Sequence, residues 1–223
     1  MNRLFTGMTD PGCVRSTNQD AYYTDEAARF FIVADGMGGH AGGQEASRIA
    51  TEVVRDYLDE AWSSPRASSA LLKEAVLKAN LAILQDQRNH PERGDMGTTI
   101  VVVVFRDDQP MCAHIGDSRL YRLRGARLEQ ITEDHTWVAR ALKSGELKPD
   151  QVRVHPWRHI LSKCLGREDL HNVEIQSFDL QPNDRLLLCS DGLTEELSRS
   201  HIVVRHHPAF VRTGDEGGVP GGR

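Results

Sequence analysis

The apolar positions of the chain change their period several times, and each change marks an element. Residues 30–34 form an unbroken apolar run that stops at Asp35-Gly36, the pattern of a buried strand ended by a turn. From Glu45 onward, Ala46, Ile49, Ala50, Val53, Val54, Tyr57, Leu58 and Ala61 recur at three- and four-residue steps, which lays one wide apolar stripe along a long helix. Ser63-Ser64-Pro65 ends it. A second stripe of Leu71, Leu72, Ala75, Val76, Ala79, Ala82 and Ile83 predicts another helix, and the short connection favours an antiparallel pair.

After Gly94 the period becomes that of strands, over 98–105, 111–115, 120–123 and 128–131. Asp107-Asp108-Gln109-Pro110, Gly116-Asp117 and Gly125-Ala126 supply the turns between them, so the block predicts an antiparallel meander. Residues 137–142 predict a short helix closed by Gly145, and 146–166, with Pro149 and Pro156, is the least regular stretch, an insertion near the site. Two further strands are predicted over 173–178 and 185–189. A helix pair must bury its stripe on a sheet, and strand blocks lie on both sides of it in sequence, so a layered α+β architecture follows.

Composition narrows the class. At 223 residues the chain suits one domain with a core large enough to fold without disulfides or a structural metal. A formal net charge of -5 gives no electrostatic reason for a nucleic-acid or anionic-membrane partner. Cys13, Cys112, Cys164 and Cys189 are far apart and form no C-x-x-C pair, so they read as reduced thiols. The longest strongly apolar run, 100–105, is far too short to span a bilayer, and the N-terminus has no secretory pattern. The expectation is a cytoplasmic, monomeric protein.

Three Asp-Gly or Gly-Asp elements, Asp35-Gly36, Gly116-Asp117 and Asp191-Gly192, stand where apolar strands end. Each alone is an ordinary turn. Together they place carboxylates where they can converge at one edge of a sheet, and hard oxygen ligands of that kind suit Mg²⁺ or Mn²⁺. The run from Gly36 to Ala41 imitates a dinucleotide fingerprint. That motif needs a second parallel strand within about thirty residues, ending in an acidic residue. Here a second helix follows the first, the candidates Asp56 and Asp59 lie in helix, and no strand pattern appears before Thr98.

Several motifs then occur in a characteristic order: Arg15-Ser16-Thr17-Asn18-Gln19-Asp20, Asp35-Gly36-Met37-Gly38-Gly39-His40, Gly97-Thr98-Thr99, His114-Ile115-Gly116-Asp117-Ser118-Arg119, Asp134-His135-Thr136 and Ser190-Asp191-Gly192-Leu193. From about Thr9 to about Ser198 the chain resembles the bacterial PPM (type 2C) metal-dependent serine/threonine protein phosphatases. The resemblance implies a four-layer α/β/β/α sandwich of two antiparallel sheets flanked by helix pairs, with two Mg²⁺ or Mn²⁺ ions in a cleft at one end. It implies that Asp35 bridges the ions, that the Gly36 carbonyl binds one and Asp191 the other, that Asp117 helps to hold a third, weaker ion, and that Asp20 accepts hydrogen bonds from water at the ions. A water activated between two cations becomes a hydroxide that attacks phosphorus in line with the departing oxygen. Arg15 suits the phosphate because its planar fork donates two parallel hydrogen bonds. His40 is the motif-linked candidate to protonate the leaving alkoxide; His114 and His135 are weaker candidates, and His114, within an apolar strand, reads as a core histidine. Thr98 and Thr99 read as shaping the strand start beside the cleft.

Members of that family continue past the Ser-Asp-Gly turn through a helix, an Asp-Asn element and a final pair of strands. After Ile202-Val203-Val204 this chain runs into a Gly- and Pro-rich segment in which Asp215 precedes Glu216, a composition that predicts disorder. The expectation is therefore a catalytic domain over 1–204 with incomplete C-terminal strands and exposed sheet edges, and an aberrant or disordered tail over 205–223. Implied partners are phosphorylated proteins, targets of a serine/threonine kinase. The competing expectation is a catalytically weak phosphoprotein-binding module. A two-metal nuclease or small-molecule phosphoesterase ranks last, because no basic groove is evident.

Overall fold

The computed structural model describes residues 3–13, 17–39, 41–107, 109–152, 154–204 and 210–213. In chain order these form β1 (Arg3–Leu4), β2 (Asp20–Thr24), β3 (Phe30–Met37), α1 (Gly42–Ala61), α2 (Ser68–Asn89), β4 (Gly97–Thr98), β5 (Ile100–Val104), β6 (Met111–Ile115), β7 (Arg119–Arg124), β8 (Arg127–Gln130), α3 (Trp137–Lys143), α4 (Pro149–Val152), β9 (Glu174–Ser177), β10 (Arg185–Cys189), α5 (Asp191–Glu196), α6 (Arg199–Val204) and β11 (Phe210–Thr213). One sheet runs β2-β3-β5-β6-β9, with β4 pairing to β3, and the other runs β1-β11-β10-β7-β8. The pairings are antiparallel throughout.

Strand β5 explains the stacking. Its five residues are all apolar and buried, as expected of a strand covered on both faces. Ile100, Val102 and Val104 join Phe30 and Ile32 against the stripes of α1 and α2. Val101 and Val103 point the other way, with Phe31, Cys112, Leu120 and Leu186, into the space between the sheets. Beyond the second sheet, Tyr121, Leu123, Leu187 and Cys189 pack on Ile202, Leu193 and Leu197 from α5, α6 and the turn between them. The layers are thus helix pair, sheet, sheet and short helices, the architecture expected from the sequence. Among the described residues no helix is long and apolar enough to cross a membrane.

Three departures have physical causes. The predicted meander is split: β5 pairs with β6 in one sheet, while β7 pairs with β8 in the other. Gly116-Asp117 is therefore a crossover between sheets. Gly116 has a φ of 100°, and a Cβ there would stand 2.6 Å from the Thr99 side chain; turn chemistry announces a change of direction but not its destination. Strand β2 is not predicted by the pattern because Asp20-Ala21-Tyr22-Tyr23-Thr24 shows no apolar–polar alternation, in keeping with its partial burial. The sequence pattern also gives no strand after 204, yet β11 lies between β1 and β10, with Arg3 opposite Thr213 and Leu187 opposite Phe210. Four residues are too few to show a period, and one of the segment's two partner strands, β1, comes from the opposite end of the chain. Residues 205–209 and 214–223, including Asp215, lie outside the described residues.

Candidate active site

The register of β2 on β3 sets Asp20 directly opposite Asp35, so two carboxylates share one end of the first sheet. Pairing of Cys189 with Arg119 puts Asp191 and Asp117 two residues beyond the same end of β10 and β7. The backbone of Asp35 is held from both sides. Its N–H donates to Thr99 Oγ1 at 3.0 Å, and its carbonyl accepts from the Thr98 hydroxyl and the Thr99 N–H, each at 2.9 Å. Thr99 Oγ1 also meets Ser118 Oγ at 2.6 Å, and the Ser190 hydroxyl donates to Asp20 Oδ2 at 2.8 Å. These two serines, neighbours of Asp117 and Asp191, fasten the end of one sheet to the other. The Asp35 carboxyl lies within hydrogen-bonding reach of both the Asp20 and the Asp191 carboxyls.

Glycine is required where α1 meets β3. A Cβ on Gly36 would lie 1.9 Å from the Gly43 carbonyl oxygen, and one on Gly43 would lie 2.9 Å from the Gln19 side chain. Only backbone fits between them, so α1 starts almost in contact with the turn that follows Asp35. The sequence reading singled out Gly36 but missed Gly43; a Gly-Gly pair at the head of a helical stripe was the available signal.

The electrostatics define what the cluster lacks. Burial, then the neighbouring Asp20 and Asp191, push the Asp35 carboxyl well above the ordinary carboxylate range. Burial, then Asp191 and Asp134, push Asp117 up to about 7. Arg119 offsets little of this, since its guanidinium is committed to Asp134, with Nε–Oδ1 2.9 Å and Nη2–Oδ2 2.5 Å. A group of oxygen donors that repel one another and hold no bound cation of their own among the described side chains fits hard divalent ions such as Mg²⁺ or Mn²⁺. A cleft of about 1030 Å³ opens beside them, lined by Asp117, Arg119, Asp134, Arg158 and Asp191 among others.

Asp20, Asp35, Gly36, Asp117 and Asp191 are thus brought to one end of the two sheets, whereas Arg15 and His40 lie outside the described residues. His114 and His135 stack at 4.7 Å between ring centroids. His114 Nε2 donates to the Glu133 carbonyl at 2.8 Å, and His135 Nδ1 accepts from the Gly116 N–H at 3.1 Å. Burial lowers both imidazoles, His135 to about 4, so both are neutral at physiological pH and serve to anchor the Gly116-Asp117 crossover. Thr98 and Thr99 shape the strand start beside the cleft, as their position in the sequence suggested.

Comparison with known proteins agrees with this geometry. The family model "Protein phosphatase 2C" matches residues 14–219, and the chain belongs to that family, the metal-dependent serine/threonine protein phosphatases. Protein phosphatase PhpP of Streptococcus pneumoniae is 37% identical over 199 residues, 87% of this chain and 80% of that protein. The crystal structure of the Mycobacterium tuberculosis serine/threonine phosphatase PstP/Ppp superposes with a TM-score of 0.79 at 34% identity, covering 91% of this chain and 84% of that one. The catalytic domain of the serine/threonine protein phosphatase PstP in complex with two manganese ions gives a TM-score of 0.75 at 29% identity, covering 94% and 95%.

Proposed function

We propose that this chain hydrolyses phosphoserine and phosphothreonine in proteins, opposing a serine/threonine kinase, and that Asp35, Gly36 and Asp191 hold two Mg²⁺ or Mn²⁺ ions while Asp117 helps to hold a third. The observation that carries this reading is the convergence of Asp20, Asp35 and Asp191, from three strand ends, beside an open cleft. When bound, the ions supply Lewis-acid activation of water near neutral pH. The chain's own residues do the rest. Thr98 and Thr99 fix the backbone of Asp35, and Asp191 stands just past the end of β10, so the donor set is organised before a ligand arrives. Asp20, oriented by the Ser190 hydroxyl, accepts a hydrogen bond from the attacking water. Arg15 receives the phosphate as a fork-shaped donor, and His40 returns a proton to the serine or threonine oxygen.

The four cysteines are free, which suits a reducing compartment, and the same reading places the protein in the cytoplasm as a monomer. A second reading, a catalytically weak phosphoprotein-binding module, rests on the sequence after 204, where Asp215 is followed by Glu216. Phosphate release from a phosphothreonine peptide, followed with and without Mn²⁺ in the wild type and in Asp35→Asn, tests the proposal. Metal-dependent release by the wild type alone is expected. Equal release by both proteins would sink the metal mechanism, and tight peptide binding without release would favour the module.

A further inference from the structure

At the mouth of the cleft, Asp191 of the carboxylate cluster meets two donors from outside it, His159 and Glu195. His159 belongs to the turns that follow α4, Asp191 opens α5, and Glu195 lies four residues further along α5, on the same side of the helix. His159 Nδ1 stands 2.8 Å from Glu195 Oε1, and one donor atom from each of the three residues lies within 4.8 Å of the others. Neighbouring ligands on a tetrahedral Zn²⁺ stand about 3.4 Å apart, and two ligands on one ion at about 2.1 Å are never more than about 4.2 Å apart, so binding an ion requires the three donors to adjust by a small side-chain movement. The side chains of His159 and Glu195 are 44% and 43% exposed, so an ion can reach them from solvent. An ion pair accounts for the contact between His159 and Glu195. Helix geometry sets Asp191 beside Glu195, so the pair and Asp191 together present one imidazole and two carboxylates to a single point in the cleft.

We infer that His159, Asp191 and Glu195 form a distinct site for a transition-metal ion, Zn²⁺ ahead of Mn²⁺, from which Mg²⁺ is largely excluded. The discriminating group is the imidazole. The neighbouring donors Asp20, Asp35 and Asp117 offer only oxygen, which suits Mg²⁺, whereas a nitrogen donor with two carboxylates suits Zn²⁺ and follows the usual rise in affinity from Mn²⁺ to Zn²⁺. Two of the ligands lie on α5 and one on the segment after α4, and all three line the cleft. An ion bound there adds to the His159–Glu195 contact that already joins that segment to α5 across the cleft. The site shares Asp191 with the proposed two-ion centre but is a separate claim, since His159 and Glu195 have no part in that centre.

The test is calorimetric titration of the untagged, chelator-treated full chain at pH 7.5 with ZnCl₂ alone and with MgCl₂ alone, in the wild type, His159→Ala and Glu195→Gln. Losing even an outer partner of a metal ligand costs about 10- to 100-fold in affinity, so one Zn²⁺ event should weaken by about tenfold or more in both variants while their Mg²⁺ isotherms overlay that of the wild type. Cobalt(II) titration adds a readout that a merely structural role would not move: a visible absorption band present in the wild type should be lost or shifted in His159→Ala. Zn²⁺ isotherms that coincide in all three proteins would overturn the inference. So would an equal loss of Mg²⁺ binding, which would make His159 a support of the carboxylate cluster. Failure of the wild type to bind Mg²⁺ at all would refute the two-ion centre instead, and the Zn²⁺ comparison would still decide this site.

Discussion

Replacing Asp35 with Asn should strengthen the metal-free protein while abolishing its response to metal. In the metal-free fold the Asp35 carboxyl is buried beside Asp20 and Asp191, and both effects raise its pKa. The sign follows directly. A carboxyl whose folded pKa is raised contributes stability that is fully present below its unfolded pKa near 3.8 and is lost as pH rises toward the folded value. At pH 7 the native state must therefore either carry a repelled charge or hold a proton that the unfolded chain does not bind. Each pKa unit corresponds to about 1.4 kcal/mol, and water at the cleft screens part of it. We expect Asp35→Asn to recover about 1–3 kcal/mol, or about 2–10 °C in Tm for a chain of this size. With metal the order reverses. A ligand present at 100 times its Kd stabilises the native state by about 2.7 kcal/mol, and the variant forfeits that gain. Differential scanning fluorimetry in EDTA and then across a Mn²⁺ titration measures both halves. The reasoning is refuted if Asp35→Asn melts below the wild type in EDTA, or if Mn²⁺ raises the Tm of both proteins equally.

Other consequences can be read from the same contacts. Thr99→Val strips the Asp35 N–H of its acceptor and Ser118 of its partner; urea denaturation should show a loss of about 1–3 kcal/mol, the cost of an unsatisfied buried donor, and Mn²⁺ titration should show weaker binding. Because Asp117 is raised to about 7, the metal-free protein should lose stability as pH rises from about 4 through about 7, and Asp117→Asn should flatten that slope in melts taken across the range. Gly36→Ala forces a methyl to within 1.9 Å of the Gly43 carbonyl, which backbone cannot relieve cheaply, so a loss of about 3 kcal/mol or more and a collapse of soluble yield are expected, measured by expression and denaturant titration.

How far the sequence disclosed this structure varies with the physics of each feature. Helices α1 and α2 were legible because a stripe of eight or seven apolar residues repeats over several turns, and β6 and β10 were bounded correctly by their turns. The carboxylates were legible as types at strand ends. Their meeting was not, since it depends on the β2–β3 register and on a crossover at Gly116 that carries the chain from one sheet to the other. The serines that join the sheets, Ser118 and Ser190, look like any turn serine until Thr99 and Asp20 are seen opposite them. Strand β11 is invisible to periodicity because it is short and pairs on one side with β1, from the opposite end of the chain. His159 carried no local signal either, since its neighbours Asp191 and Glu195 belong to a helix more than thirty residues later.

Anomalous diffraction at the manganese edge, from crystals grown with saturating Mn²⁺, examines the two-ion centre most directly. Two peaks flanking the Asp35 carboxylate are predicted, each roughly 2.0–2.3 Å from a ligand oxygen, one also touching the Gly36 carbonyl and the other Asp191. Fully loaded crystals with no peak between Asp35 and Asp191 would contradict it.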